Sequence, residues 1–151
     1  MALASSVSAQ AAGDRSDGDR TFQEICVENG FDFEQHTVTT EDGYILTVYR
    51  IPGMMGEDHE NSVKPPVLFQ HGVFDSAYCW IVNYADVAPA FVAARAGYDV
   101  WLGNSRGNTY SIGHTTLNTN KSEYWDFSWY EMGIYDIPAV FDHIQTKSGT
   151  D

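Results

Sequence analysis

At 151 residues the chain is long enough for one domain with a sizeable core and too short for two. Hydrophobic residues at 43% and aromatic residues at 14% exclude a disordered chain. Acidic residues outnumber basic ones 21 to 8, and the resulting formal charge of −13 repels phosphate, which argues against nucleic-acid binding and electrostatic attachment to anionic lipid. No apolar run approaches membrane-spanning length, so no integral membrane segment is expected.

Residues 1–20 read as a leader, either disordered or the remnant of a signal peptide, and residues 21–151 as one partial domain. Ala9-Gln10-Ala11 has the small-x-small form of a signal cleavage site, but a basic n-region is absent and the apolar h-region is thin. Thr21-Phe22-Gln23-Glu24 is a capping box that opens a short helix, which Gly30 closes. Phe31 to Thr40 carries strand-favouring residues, Asp42-Gly43 is a hairpin turn signal, and Tyr44 to Ile51 follows as a second strand. Pro52 to Lys64 is a polar surface loop.

Pro65-Pro66 then stops whatever precedes it, because neither residue donates an N–H. Val67 to Phe69 is a short apolar run of the kind expected for a strand buried on both faces, and it empties into His71-Gly72-Val73. Asp75 to Tyr84 is irregular and aromatic. A helix follows with Pro89 in its first turn, Phe91 and Val92 on its apolar side, and Gly97 at its end. Tyr98 to Leu102 is a second buried strand leading into Gly103-Asn104-Ser105-Arg106-Gly107. Asn108 to Lys121 is a long polar loop, Ser128-x-x-Glu131 is another capping box, and Asp136 with Pro138 restarts a helix that Gly149 closes. Strands alternating with helices from residue 65 onward imply β-α-β units and a parallel sheet, with the leading hairpin as an antiparallel edge.

Two motifs carry possible chemistry. Gly103-Asn104-Ser105-Arg106-Gly107 matches G-x-S-x-G literally, yet a nucleophile elbow needs a helix after the turn, and Asn108 to Gly113 has no helical apolar period. A serine nucleophile also needs a later base, and beyond Ser105 there are only His114, in the polar loop, and His143, in an amphipathic helix. Ser105 therefore reads as a decoy inside a turn stabilised by Arg106 and the glycines. The other motif is a strand emptying into His71-Gly72, which places the N–H of Val73 where an oxyanion would develop, with His71 and Gly72 supporting the turn. The plainer reading of the same residues is a strand end with a glycine turn.

Asp99, Asp126, Asp136 and Asp142 are read as helix caps and solvated faces. Neither metal-ligand spacing nor a Gly-rich phosphate cradle occurs, so no metal and no cofactor is expected. Cys26 and Cys79 are open to two readings, a pair if the fold brings them together or two free thiols. Asn120-Lys121-Ser122 satisfies the N-glycosylation pattern, which matters only in a secreted chain.

Longer blocks are more specific. Gly30-Phe31, Glu34-x-His36-x-Val38-Thr39-Thr40-Glu41-Asp42-Gly43-Tyr44-Ile45-Leu46 and Arg50-Ile51-Pro52 resemble the start of the acid lipases, the gastric and lysosomal family. The resemblance continues through Phe69-Gln70-His71-Gly72, Ala96 to Asn108, Glu123 to Ser128 and Glu131 to Ala139, covering about residues 20 to 149. It implies the amino-terminal part of an α/β-hydrolase fold, and cleavage of triacylglycerols or sterol esters by a Ser-Asp-His triad, with a lipid ester as the substrate of the full-length relative. It also implies a secreted or lysosomal address. The amide after His-Gly supplies an oxyanion N–H in such relatives, and that position is Val73 here where they usually carry leucine. Their elbow follows the strand after Gly-Asn-Ser-Arg-Gly, so the triad falls beyond Asp151 and this chain by itself is expected to be inactive. The expected fragment of an ester hydrolase stands beside two others, a natural short form serving as a binding module and a minimal esterase using Ser105.

Overall fold

The computed structural model describes residues 17–59 and 61–149. A mixed sheet runs through it. Strand β1 (Glu34–Thr39) pairs antiparallel with β2 (Tyr44–Ile51), β2 pairs antiparallel with β4 (Asp99–Gly103), and β3 (Pro66–Gln70) pairs parallel with β4, giving the order β1-β2-β4-β3. The expected hairpin edge and parallel unit are both present. A two-residue strand, β5 (Gly113–His114), adds to the start of β2, so part of the expected long loop is sheet.

Local chemistry explains the helices. In α1 (Phe22–Glu28) the Thr21 hydroxyl accepts from the Glu24 N–H at 3.2 Å while Glu24 accepts from the Thr21 N–H at 2.8 Å, the reciprocal bonds of a capping box. Helix α2 (Pro89–Arg95) crosses over between β3 and β4 and starts with proline, whose missing N–H costs nothing in a first turn. A second capping box, Ser128 with Glu131, opens α3 (Trp129–Glu131). The helix does not restart at Asp136. It runs on through a π-turn at Met132–Asp136 directly into α4 (Ile137–Ser148).

Side chains alternate across a strand, and β4 shows the consequence. Val100 and Leu102 face a core with α1, α2 and the 3₁₀ turn at Ala77–Trp80, whereas Trp101 faces Val38, Leu46, Val48, Val140 and Ile144 beneath α4. All five β4 residues are buried, as expected for a central strand. The reading of β3 from its composition alone fails, whereas the exposed edge that the acid-lipase resemblance implies for these residues is present: all five are half-buried, because β4 occupies one edge and no strand among the described residues covers the other. An apolar edge of this kind is an aggregation hazard. Two aspartates also depart from the expected solvated role. Asp99 is buried, with its carboxylate held by Arg50 Nε at 2.7 Å and by the Trp101 indole N–H at 2.8 Å, and Asp136 is buried against Arg106. Cys26 and Cys79 are free thiols, and burial pushes Cys26 up to about 12. No helix among the described residues is long and apolar enough to cross a membrane.

Where α4 meets β1, the His143 ring stands edge-on to His36 at 5.0 Å and to Trp101 at 5.8 Å. Burial, followed by the charges of His36 and Lys147, lowers the His143 pKa below its ordinary 6.5. The unfolded chain thus takes up this proton first as pH falls, so stability is intact above pH 6.5 and declines below it. The melting temperature is expected to fall on acidification through this window, and less steeply in His143→Phe than in the parent. Parallel curves for the two proteins would remove His143 from the account.

Candidate functional site

Gln70 pairs with Gly103 in the parallel register, so β3 and β4 end side by side and their outgoing loops meet. Sites in sheets of this type gather at such carboxyl ends. Here the loops bound an open cleft of about 820 Å³, whose lining includes Val73, Phe74, Tyr110, Trp125, Trp129 and Met132. The rim is apolar and wet: Phe74 and Trp129 are exposed.

His71 lies at the base, 8% exposed. Its Nδ1 lies 2.6 Å from the Gly72 carbonyl oxygen, and its Nε2 accepts the Ser105 N–H at 3.1 Å, with the Asn108 amide at 3.3 Å. A carbonyl only accepts and a backbone N–H only donates, so the pattern assigns the proton to Nδ1. The imidazole thereby fastens the loop after β3 to the loop after β4. It meets Ser105 through the backbone, not through the hydroxyl. The Ser105 Oγ instead accepts from Gln70 Nε2 at 2.9 Å.

Every residue of Gly103 to Asn108 is engaged in this joint. A Cβ on Gly103 would run into the Gln70 carboxamide, so a larger residue there would push aside the side chain that reaches Ser105. Asn104 is buried, accepting from the Ala77 N–H at 3.0 Å and donating to the Thr47 carbonyl at 3.1 Å. Gly107 has φ +77°, and a Cβ there would lie 2.8 Å from Phe127. Asn108 also donates to the Asp75 carbonyl at 3.0 Å. A turn-rich segment, not a helix, follows Gly107.

Arg106 is the hub beneath the cleft. Its side chain is fully buried, with Nη1 and Nη2 on the Asp42 carboxylate at 2.6 and 2.9 Å and Nε on Asp136 Oδ1 at 2.8 Å. The Arg106 N–H donates to Asp136 Oδ2 at 3.1 Å, and the guanidinium carbon lies 3.9 Å from the Tyr44 ring centroid. Burial pushes the Asp42 carboxyl up, but hydrogen bonds from Arg106 and Thr40 more than reverse it and leave it below its ordinary value. For Asp136 burial prevails over Arg106, and its pKa is raised. The π-turn serves this arrangement, since it turns Asp136 inward while Met132, Gly133 and Ile137 line the cleft.

Val73, the position read as an oxyanion donor, lines the cleft, and its N–H meets no acceptor among the described residues. His71 and Gly72 form the turn that carries it. His114 and His143 lie elsewhere, His114 bonding the Asp42 carbonyl at 3.1 Å and His143, on α4, packing against His36 and Trp101. Sequence reasoning missed Gln70, Asn104 and Asn108 as the ties between the two loops. The available signal was the run of polar residues, Asn104 to Asn108, directly after a wholly apolar strand.

The sequence matches the family described as the alpha/beta hydrolase fold over residues 65–151 and the partial alpha/beta-hydrolase lipase region over residues 22–84. The chain belongs to the α/β-hydrolase fold family. It is 50% identical to human lipase member N over 131 residues, 85% of this chain and 32% of that protein. It is 44% identical to Drosophila melanogaster lipase 1 over 135 residues, 89% of this chain and 29% of that one. This α/β-hydrolase chain thus spans about a third of the length of the lipases it matches, and the resemblance to the acid lipases read from its residues is borne out. Among solved structures it is similar to the Pyrococcus furiosus esterase Pf2001, with a TM-score of 0.52 at 15% identity, covering 84% of this chain and 38% of that one. At that identity the likeness speaks for the fold alone.

Proposed function

We propose that this chain is the amino-terminal portion of an acid-lipase-type carboxylic-ester hydrolase of lipid metabolism, acting on triacylglycerols or sterol esters in a secreted or lysosomal setting. The observation that carries the reading is the Val73 N–H, without an acceptor among the described residues, on a cleft with an apolar rim. As an ester carbonyl is attacked, negative charge gathers on its oxygen, and a preorganised backbone N–H stabilises that charge without reorganising. The apolar rim suits the acyl chains of such substrates. Similarity to lipases over the same residues supports the assignment.

The attacking group is not Ser105. Its hydroxyl accepts from Gln70, and the neighbouring His71 is occupied with its backbone N–H, so among the described residues no base stands ready to take its proton. With only half of an oxyanion hole and no nucleophile, the chain by itself is inert. Purified, it is expected to release no fatty acid from emulsified triacylglycerol, sterol ester or a chromogenic short-chain ester. Hydrolysis that Ser105→Ala abolishes would overturn this. Ser105→Ala should cost only about 1 kcal/mol of stability, the net worth of one hydrogen bond, so lost activity in that variant would not be lost folding. The positive test is a chimaera in which residues 20–149 replace the matching segment of human lipase member N. Lipase activity in the chimaera is expected, and a folded but inactive chimaera would count against the reading. The half-exposed β3 edge favours one other reading, a short form that binds a partner strand; a stable, soluble, inert monomer would leave that reading standing.

A further inference from the structure

Seven asparagines occur in the chain, and only Asn120 begins the triplet Asn-x-Ser/Thr, as Asn120-Lys121-Ser122. The structure separates it from asparagines with work to do. Asn104 is buried, and Asn108 ties two loops with its amide. Asn120 is exposed, and its side-chain amide makes no hydrogen bond among the described residues. It sits in a tight turn in which the Lys121 N–H donates to the Asn118 carbonyl at 2.9 Å and the Asn120 N–H donates to Asn118 Oδ1 at 2.9 Å. Trp125 closes the turn from below through its indole N–H on the Thr119 carbonyl at 2.8 Å. The backbone of this loop is thus held by Asn118 and Trp125, and the Asn120 amide is left over for solvent.

We infer that Asn120 is an N-glycan acceptor in this chain. The donor is an oligosaccharyl pyrophosphoryl lipid. The Asn120 amide nitrogen attacks the anomeric carbon of its first sugar, the new N–C bond replaces the C–O bond to pyrophosphate, the lipid pyrophosphate leaves, and the amide proton passes to a base of the transferase. A glycan here would stand in water beside the cleft, since Trp125 lines the cleft and Asn120 does not. The inference does not rest on ester hydrolysis, only on passage through the secretory lumen.

The test is to express the full chain behind a host signal peptide in a eukaryotic secretory system, alongside a known glycoprotein as control. A band shift removed by peptide N-glycosidase is expected for the parent and for Ser122→Thr, with loss of the shift in Asn120→Gln and Ser122→Ala. An unshifted band in the parent and in Ser122→Thr, beside a modified control, would overturn it. So would a shift that survives Asn120→Gln. Since modification is read by mass and not by turnover, an inert chain with a glycan and an active chain without one remain distinguishable.

Discussion

Arg106→Met is expected to destabilise the folded chain by about 3–5 kcal/mol, the loss typical when one partner of a buried ion pair is removed. The urea midpoint should fall at an unchanged slope, the mark of a change in stability alone. Methionine keeps much of the bulk but leaves Asp42 and the buried Asp136 without their shared cation, and the Tyr44 ring without the guanidinium stacked on it. Asp136 must then either stay ionised and unpaired in the core or take up a proton, and both are costly. Adding Asp136→Asn to Arg106→Met is expected to recover part of the loss, because the stranded charge is then gone. If Arg106→Met cost less than about 1 kcal/mol, the range of exposed pairs, the hub beneath the cleft would be no more than a surface contact.

The larger functional effect belongs to Val73. In the lipase chimaera, Val73→Pro removes the N–H while keeping an apolar residue, and kcat is expected to fall on the order of 10²–10³-fold, as when one oxyanion-hole donor is lost. Val73→Leu, which keeps the N–H, should retain activity near the parent's. A loss of that size with a similar KM would mean the interaction is made chiefly in the transition state. Because proline also restricts the backbone, the melting temperature of each variant is read alongside the rate. If Val73→Pro folds and turns over like the parent, the amide has no part in the chemistry.

Much of the fold was legible before any coordinates. Thr21 with Glu24 and Ser128 with Glu131 announce helix starts because a capping box is a contact over three residues, and Asp42-Gly43 announces the hairpin for the same local reason. The apolar run in β4 reads as a central strand and is one. The run in β3 reads the same way but is half-buried, since burial of a strand depends on its neighbours and not on its own composition. Asp99 and Asp136 were unreadable as ion-pair partners, because Arg50 and Arg106 lie 49 and 30 residues away in the chain. At the site, the His71-Gly72-Val73 turn could be picked out from its sequence, whereas the grip of Gln70 on Ser105 spans 35 residues and becomes visible only when the ends of β3 and β4 lie side by side.

The amino-acid sequence by itself determined the hydrolase family, the order of the four longer strands and the position of the amide after His71-Gly72, since each is carried by neighbouring residues or by long matched blocks. The tertiary structure alone decided what the polar run after β4 does. Sequence context already sets Ser105 aside as a decoy, but where its hydroxyl goes is seen only in the fold. That hydroxyl is held by Gln70 at the end of β3, and the backbone around it by His71 just beyond that strand and by Arg106, whose partners come from the hairpin and from the π-turn.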